Sequence, residues 1–365
     1  MRNSHVRLHF WRELHEGRFS AQSAETKGQT MIDRRQILQT AAALPLAAAP
    51  AWAAETVLET TTLERVELVD PVSKRKVPTR IYYPAKAGRY PVILFSHGFG
   101  GALNAFANTG RIWASHGYVV LHPTHIDSVA NPDPAVDPAD AVIMRRVLAV
   151  RGTPDPAARQ ALVLLIEKPY FLASRLRDIA FLQDALHGKL PGIPAEVLKR
   201  CNLSKMGMSG HSYGAYTTLI VSGAKLNPAS VTPVPTGFLA GMSISGQGAG
   251  RMGLSEASFP TITRPLMAIT GTRDIGAANE TPPWRLHGYD MSAPGHKYAV
   301  VVEGFAHGDF DPAAGEPNAV KGDALHALQL DFWNAALKGQ SAGWRDLDQK
   351  AMGSKSSDPL WVRTR

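Results

Sequence analysis

Cysteine is almost missing from this sequence. Cys201 is the single thiol among 365 residues. No disulfide can therefore form within the chain, and the residue reads as a small buried side chain. Long apolar runs are also lacking. Past the N-terminal region nothing approaches the roughly 18 continuous apolar residues of a spanning helix, so stable membrane insertion is not expected. Acidic residues are in deficit, 31 against 39 Lys and Arg, which leaves a formal charge of +8. Three of those eight charges fall within the first 53 residues. No basic run with interleaved aromatics occurs, so nucleic acid is not an expected partner. Internal repeats are absent. So are convincing metal-ligand arrays. His122, His125 and Asp127 have no confirming fourth ligand. Asp133, Asp137 and Asp140 lack the glycine and spacing of a calcium loop and read as solvated turn residues. No cofactor and no metal are expected.

What remains is an ordinary globular composition, 44% hydrophobic and 19% charged, over a length ample for a large core. The N-terminus carries Arg34-Arg35, then an Ala-rich apolar stretch from Ala41 to Ala49, then Ala51-Trp52-Ala53. Small residues at the two positions read by a signal peptidase, placed after paired arginines, resemble a twin-arginine signal. Residues 31–53 are thus expected to direct export to the periplasm or beyond. Residues 1–30 read as an upstream extension. Residues 54–365 read as one catalytic domain, with an insertion at about 128–168.

Along that domain, Leu63–Val69 and Val77–Tyr83 predict an antiparallel pair. Short apolar runs at Tyr90–Phe95, Tyr118–Leu121, Lys205–Ser209, Phe238–Ser245, Pro265–Thr270 and Tyr298–Val302 predict buried strands. Helical patterns fall at Ala105–His116, Ala139–Val150, Pro156–Glu167, Phe171–His187, Ala215–Ser222 and Ala324–Leu337. Strands alternating with helices predict an α/β fold: a mostly parallel sheet with helices on both faces and a helical insertion.

The chemistry is concentrated at the strand ends. Gly210-His211-Ser212-Tyr213-Gly214 sits between a strand and a helix. A serine hydroxyl needs exposure, a base and an oxyanion site before it acts as a nucleophile. A sharp strand-to-helix turn supplies the exposure, and flanking glycines permit it. His307 is the histidine placed just past the last central strand, which makes it the expected base. Asp274, after Gly271-Thr272-Arg273, is the expected acid that would orient the imidazole; Asp290 is held in reserve. Asp309 and Asp311 read as loop caps. Two backbone N–H groups, of Tyr213 and of Phe99 in the Gly-rich loop His97-Gly98-Phe99-Gly100-Gly101, are the expected oxyanion donors. Trp284, with Pro282 and Pro283, is placed either to line a substrate mouth or simply to pack.

These motifs, with Ala114-Ser115-His116-Gly117-Tyr118, resemble the α/β-hydrolase superfamily over roughly Val77 to Leu337. Within it the chain is similar to the platelet-activating-factor acetylhydrolase and dienelactone-hydrolase-like esterases. The resemblance implies a serine carboxylic-ester hydrolase that needs no metal and takes a small-molecule or lipid-like ester. Dienelactone hydrolases proper carry a cysteine nucleophile where this chain has Ser212, and Ala215 stands where many relatives have a second glycine. An acyltransferase or thioesterase would share the same triad, and a non-catalytic binding protein would share the fold. Acyl-chain length and oligomeric state are not encoded in any motif.

Overall fold

A computed structural model describes residues 57–150, 155–229 and 232–365. The expected extension and export signal, residues 1–53, lie outside the described residues. Among the described residues nine strands form one sheet: β1 (Thr60–Val69), β2 (Lys76–Pro84), β3 (Tyr90–Ser96), β4 (Val119–Pro123), β5 (Cys201–His211), β6 (Phe238–Ile244), β7 (Leu266–Arg273), β8 (Lys297–Ala306) and β9 (Leu360–Thr364). The helices are α1 (Ala107–Ser115), α2 (Pro138–Ala149), α3 (Pro156–Ile166), α4 (Pro169–Leu186), α5 (Tyr213–Val221), α6 (Ala319–Trp333) and α7 (Ser341–Gly353), besides shorter turns.

The strand order is β1-β2-β4-β3-β5-β6-β7-β8-β9. The six strands from β4 to β8 in that order pair in parallel. β1, β2 and β9 join antiparallel at the two flanks. The reason lies in runs such as Val92-Ile93-Leu94-Phe95. Successive side chains in a strand point to opposite faces, so a run without polar alternates requires cover on both. Val92 and Leu94 pack with Leu176, Ile179 and Leu182 of α4 and with Leu219 and Ile220 of α5. Ile93 and Phe95 pack on the other face with Trp113 of α1 and with Leu328, Phe332 and Trp333 of α6. This is the α/β-hydrolase arrangement, a mixed, mostly parallel sheet between helical layers.

The expected insertion contains α2 and α3, and both begin with Asp-Pro. The carboxylate of Asp137 accepts from the N–H groups of Ala139 and Asp140, and that of Asp155 from Ala157 and Ala158. Each aspartate caps orphan donors of the first turn, and the proline that follows has no N–H to satisfy there.

Three sequence expectations need correction. Asp140 is buried, not solvated: Lys168 Nζ reaches its two oxygens at 2.6 and 2.8 Å, and Tyr170 donates to it at 3.1 Å. Asp133 pairs with Arg75 at 3.2 Å. The insertion folds back against the start of α4 and the β1–β2 turn, which removes both carboxylates from water; Asp137 alone of the three is exposed. The helix expected from Ala215 starts at Tyr213, because the turn after β5 is a single residue wide. Finally, α7 and β9 were not anticipated. β9 is five residues long and pairs with β8 from Tyr298↔Thr364 to Val302↔Leu360.

Candidate active site

β3, β5, β7 and β8 are parallel, so their C-terminal ends converge on one edge of the sheet, the edge at which open α/β sheets bind ligands. β5 delivers Ser212. Its φ of 55° and ψ of −116° are strained for a residue with a Cβ. The strain is held by packing: a Cβ on Gly214 would fall 1.8 Å from the Ser96 carbonyl oxygen, and one on Gly210 only 2.4 Å from the Gly214 backbone. The two glycines let α5 leave β5 at a right distance from β3, and the serine is left at the tip of the bend. Ser212 N–H is fixed by the Ile244 carbonyl at 2.9 Å.

His307 follows β8, and its Nε2 lies 3.0 Å from Ser212 Oγ. Its Nδ1 lies 2.8 Å from Asp274 Oδ1. Asp274 follows β7 and is fully buried, whereas the imidazole is about a third exposed. The structure thus brings together the three side chains singled out in the sequence. Burial alone would raise the Asp274 carboxyl. The hydrogen bond from His307 and the nearby Arg285 and His307 charges outweigh it and hold the group at about 2. Thr270 Oγ1 donates to Asp274 Oδ2 at 3.0 Å. Asp290 is elsewhere, paired with Arg363 at 3.1 Å. Asp311 accepts from the N–H groups of Asn108 and Thr109 at the start of α1, and Asp309 from that of Ala306, so both act as caps.

Three further residues were missed by sequence reasoning. Arg285, 3% exposed, places Nε 3.1 Å from Asp274 Oδ1 and donates to the Ser245 and Gly246 carbonyls at 3.1 and 3.2 Å. Ser245, at the end of β6, has its hydroxyl 2.8 Å from His307 Nδ1. His211 Nε2 lies 2.7 Å from the His307 carbonyl and tethers the loop that carries the imidazole. Arg285 and Ser245 belong to no local motif. Only the position of His211 inside the Gly-His-Ser-Tyr-Gly run offered a signal.

A cleft of about 930 Å³ opens over Ser212. Val147 and Leu148 of α2, with Ala158, Leu162 and Ile166 of α3, supply an apolar wall, and Phe99, Phe106 and Met252 also line the cleft. Trp284 lines the cleft and also donates Nε1–H to the Ala249 carbonyl at 2.8 Å, so it both packs and lines. Arg251 bridges Glu167, just past α3, at 2.6 Å and Glu280, in the loop after β7, at 3.1 Å. Cys201 is buried and hydrogen-bonded to the Val197 carbonyl; burial pushes its thiol up to about 12. His122, His125 and Asp127 are buried. Among the described residues no three His, Cys, Asp or Glu side chains gather as metal ligands, and no helix is long and apolar enough to cross a membrane.

No curated protein matches the chain. Residues 55–145 match the family model described as chlorophyllase. That stretch runs from β1 into α2 and includes the glycine-rich loop after β3, but none of Ser212, Asp274 or His307. The chain is therefore similar to chlorophyllases over residues 55–145, about a quarter of its length, and, across the whole sheet, has the α/β-hydrolase fold.

Proposed function

We propose that this protein is a serine hydrolase that cleaves carboxylic esters through an acyl-enzyme. One observation carries the reading: hydroxyl, imidazole and buried carboxylate stand in line at 3.0 and 2.8 Å on the catalytic edge of the sheet. Ser212 Oγ attacks the ester carbonyl while His307 Nε2 takes its proton. Asp274, kept ionised, holds the proton on Nδ1 and stabilises the imidazolium. The N–H groups of Phe99 and Tyr213 receive the oxyanion. His307 protonates the departing alcohol, then activates the water that releases the acid. The match to the chlorophyllase model supports an ester rather than another hydrolase substrate. The apolar wall of α2 and α3 favours an ester with an extended hydrocarbon group. Arg34-Arg35 and the Ala-x-Ala site support export of the folded enzyme.

The test is a panel of p-nitrophenyl esters of rising chain length combined with a fluorophosphonate probe. Ester turnover and covalent labelling are expected for the parent. Ser212→Ala should lose labelling and lower kcat by on the order of 10⁴–10⁶. Equal turnover by Ser212→Ala would refute the mechanism.

A further inference from the structure

A second polar network lies behind the loop that follows β3, outside the Ser212–His307–Asp274 line. Asp127 and Arg175 are both fully buried and doubly bonded, Nε to Oδ1 at 2.9 Å and Nη2 to Oδ2 at 2.6 Å. Each also grips the loop. Asp127 Oδ2 accepts the Gly100 N–H at 3.1 Å. Arg175 Nη1 donates to the His97 carbonyl at 2.5 Å and to Ser96 Oγ at 2.9 Å, and Nη2 reaches the Gly98 carbonyl at 3.4 Å. The guanidinium carbon also sits 4.8 Å from the centre of the Tyr213 ring.

His97 adds to the grip in a defined tautomer. Its Nε2 accepts the His125 N–H at 3.0 Å, so its proton resides on Nδ1 and is donated to the Gly98 carbonyl at 2.7 Å. Burial and the Arg175 charge keep this imidazole well below its ordinary range, consistent with a neutral ring. Gly101 N–H supplies a further donor to the same carbonyl at 3.0 Å. The Gly98 carbonyl and the Phe99 N–H belong to one peptide unit. A trans peptide is planar, with C=O and N–H directed oppositely. Drawing the carbonyl toward Arg175 and His97 therefore turns the Phe99 N–H away from them. Gly98 itself abuts the nucleophile: a Cβ there would lie 3.4 Å from Ser212 Cβ.

We propose that the Arg175–Asp127 pair positions both oxyanion donors, by fixing the plane of the Gly98–Phe99 peptide and by holding the Tyr213 ring from beneath. This rests on the ester-hydrolase reading. Arg175 and Asp127 touch neither substrate nor Ser212 and are positioning residues. A buried ion pair gains little stability over apolar residues of equal volume. Its location against this loop is accounted for by what it orients. The fork of Arg175 grips Asp127 bidentately while also reaching two carbonyls, a geometry that lysine lacks.

The experiment uses the full chain with Arg175→Lys, and separately the neutral double variant Asp127→Asn/Arg175→Gln, which leaves no lone buried charge. For each variant that circular dichroism shows to be folded, kcat should fall about 10²- to 10³-fold, as on loss of an oxyanion donor, with KM within about threefold. Affinity for a trifluoromethyl ketone, which binds as an oxyanion adduct, should fall in parallel. The midpoint of the pH profile of kcat/KM should not move, because His307 and Asp274 are untouched; a general loosening of the site would shift it. Folded variants with parental kcat and ketone affinity would overturn the positioning role while leaving the hydrolase intact. A parent protein with neither ester turnover nor labelling of Ser212 would instead overturn the hydrolase reading.

Discussion

Asp274 shows how much one carboxylate does when it is sealed from water. It accepts from Thr270 and His307, and Arg285 balances its charge at 3.1 Å. Replacing it by asparagine leaves the shape almost unchanged but offers the imidazole an amide that can donate, so the tautomer required at Nε2 is lost. Asp274→Asn is expected to lower kcat by about 10⁴, with the protein still folded, as read by single-turnover kinetics and circular dichroism. A loss of less than tenfold would mean that the imidazole is oriented by Ser245 instead. At this scale the sequence was legible where a residue sat inside a short pattern. Ser212 lies between two glycines, and Asp274 and His307 follow apolar strands. Arg285, Ser245, Arg175 and Asp127 were not assigned because their partners lie tens of residues away and nothing local marks a buried arginine. Asp140 misled for the same reason: the lysine that takes it out of water is Lys168, 28 positions on.

The strand-to-helix bend and the α2–α3 wall each make a test at the scale of elements. At Gly214 any side chain would meet the Ser96 carbonyl. Gly214→Ala should therefore cost about 3 kcal/mol or more, the upper end of overpacking penalties, and chemical denaturation would measure it. A cost below 1 kcal/mol would mean that α5 can back away from β3. The wall tests substrate size. Leu162 faces the cleft from α3, and Leu162→Trp should shift the preferred p-nitrophenyl ester to shorter acyl chains while leaving turnover of the acetate ester nearly intact. Unchanged chain-length preference would remove α3 from the acyl site. Element boundaries followed the sequence where period and punctuation agreed, as in the two Asp-Pro starts of the insertion. They failed at the end of the chain. α7 buries little besides Gly343 and Leu347, so its apolar stripe is thin, and the brief Leu360-Trp361-Val362 run is too short to tell a strand from a packed loop.

For the molecule as a whole, buried ionisable groups set the response to acid. Burial drives His122 down to about 3 and His326 to about 4, and His97 and His125 also lie well below their ordinary range. Each is neutral in the fold but takes a proton in the unfolded chain below about pH 6.5. Unfolding therefore gains protons, and stability falls as pH drops from 6.5 toward 4. Asp178 opposes this. Burial pushes it up to about 6 despite Arg75, so the native state holds an extra proton there between roughly pH 6 and 4; one such group does not offset four histidines. Asp274 acts lower. Its contribution, about 2 kcal/mol, is present above its unfolded value of 3.8 and is lost as pH falls toward its folded value of about 2. Urea midpoints should decline steadily from pH 7 to 4.5; a rise over that range would contradict the histidine assignments.

The antiparallel flank formed by β9 has a practical consequence. Along Tyr298 to Val302 it occupies the hydrogen-bonding side of β8 that would otherwise face outward, and His307 hangs from the end of that same strand. A protease nick that released residues 354–365 would bare a row of amides and carbonyls beside a run of Tyr-Ala-Val-Val-Val. Such an edge recruits a second chain. The clipped protein should clump on storage and lose turnover together.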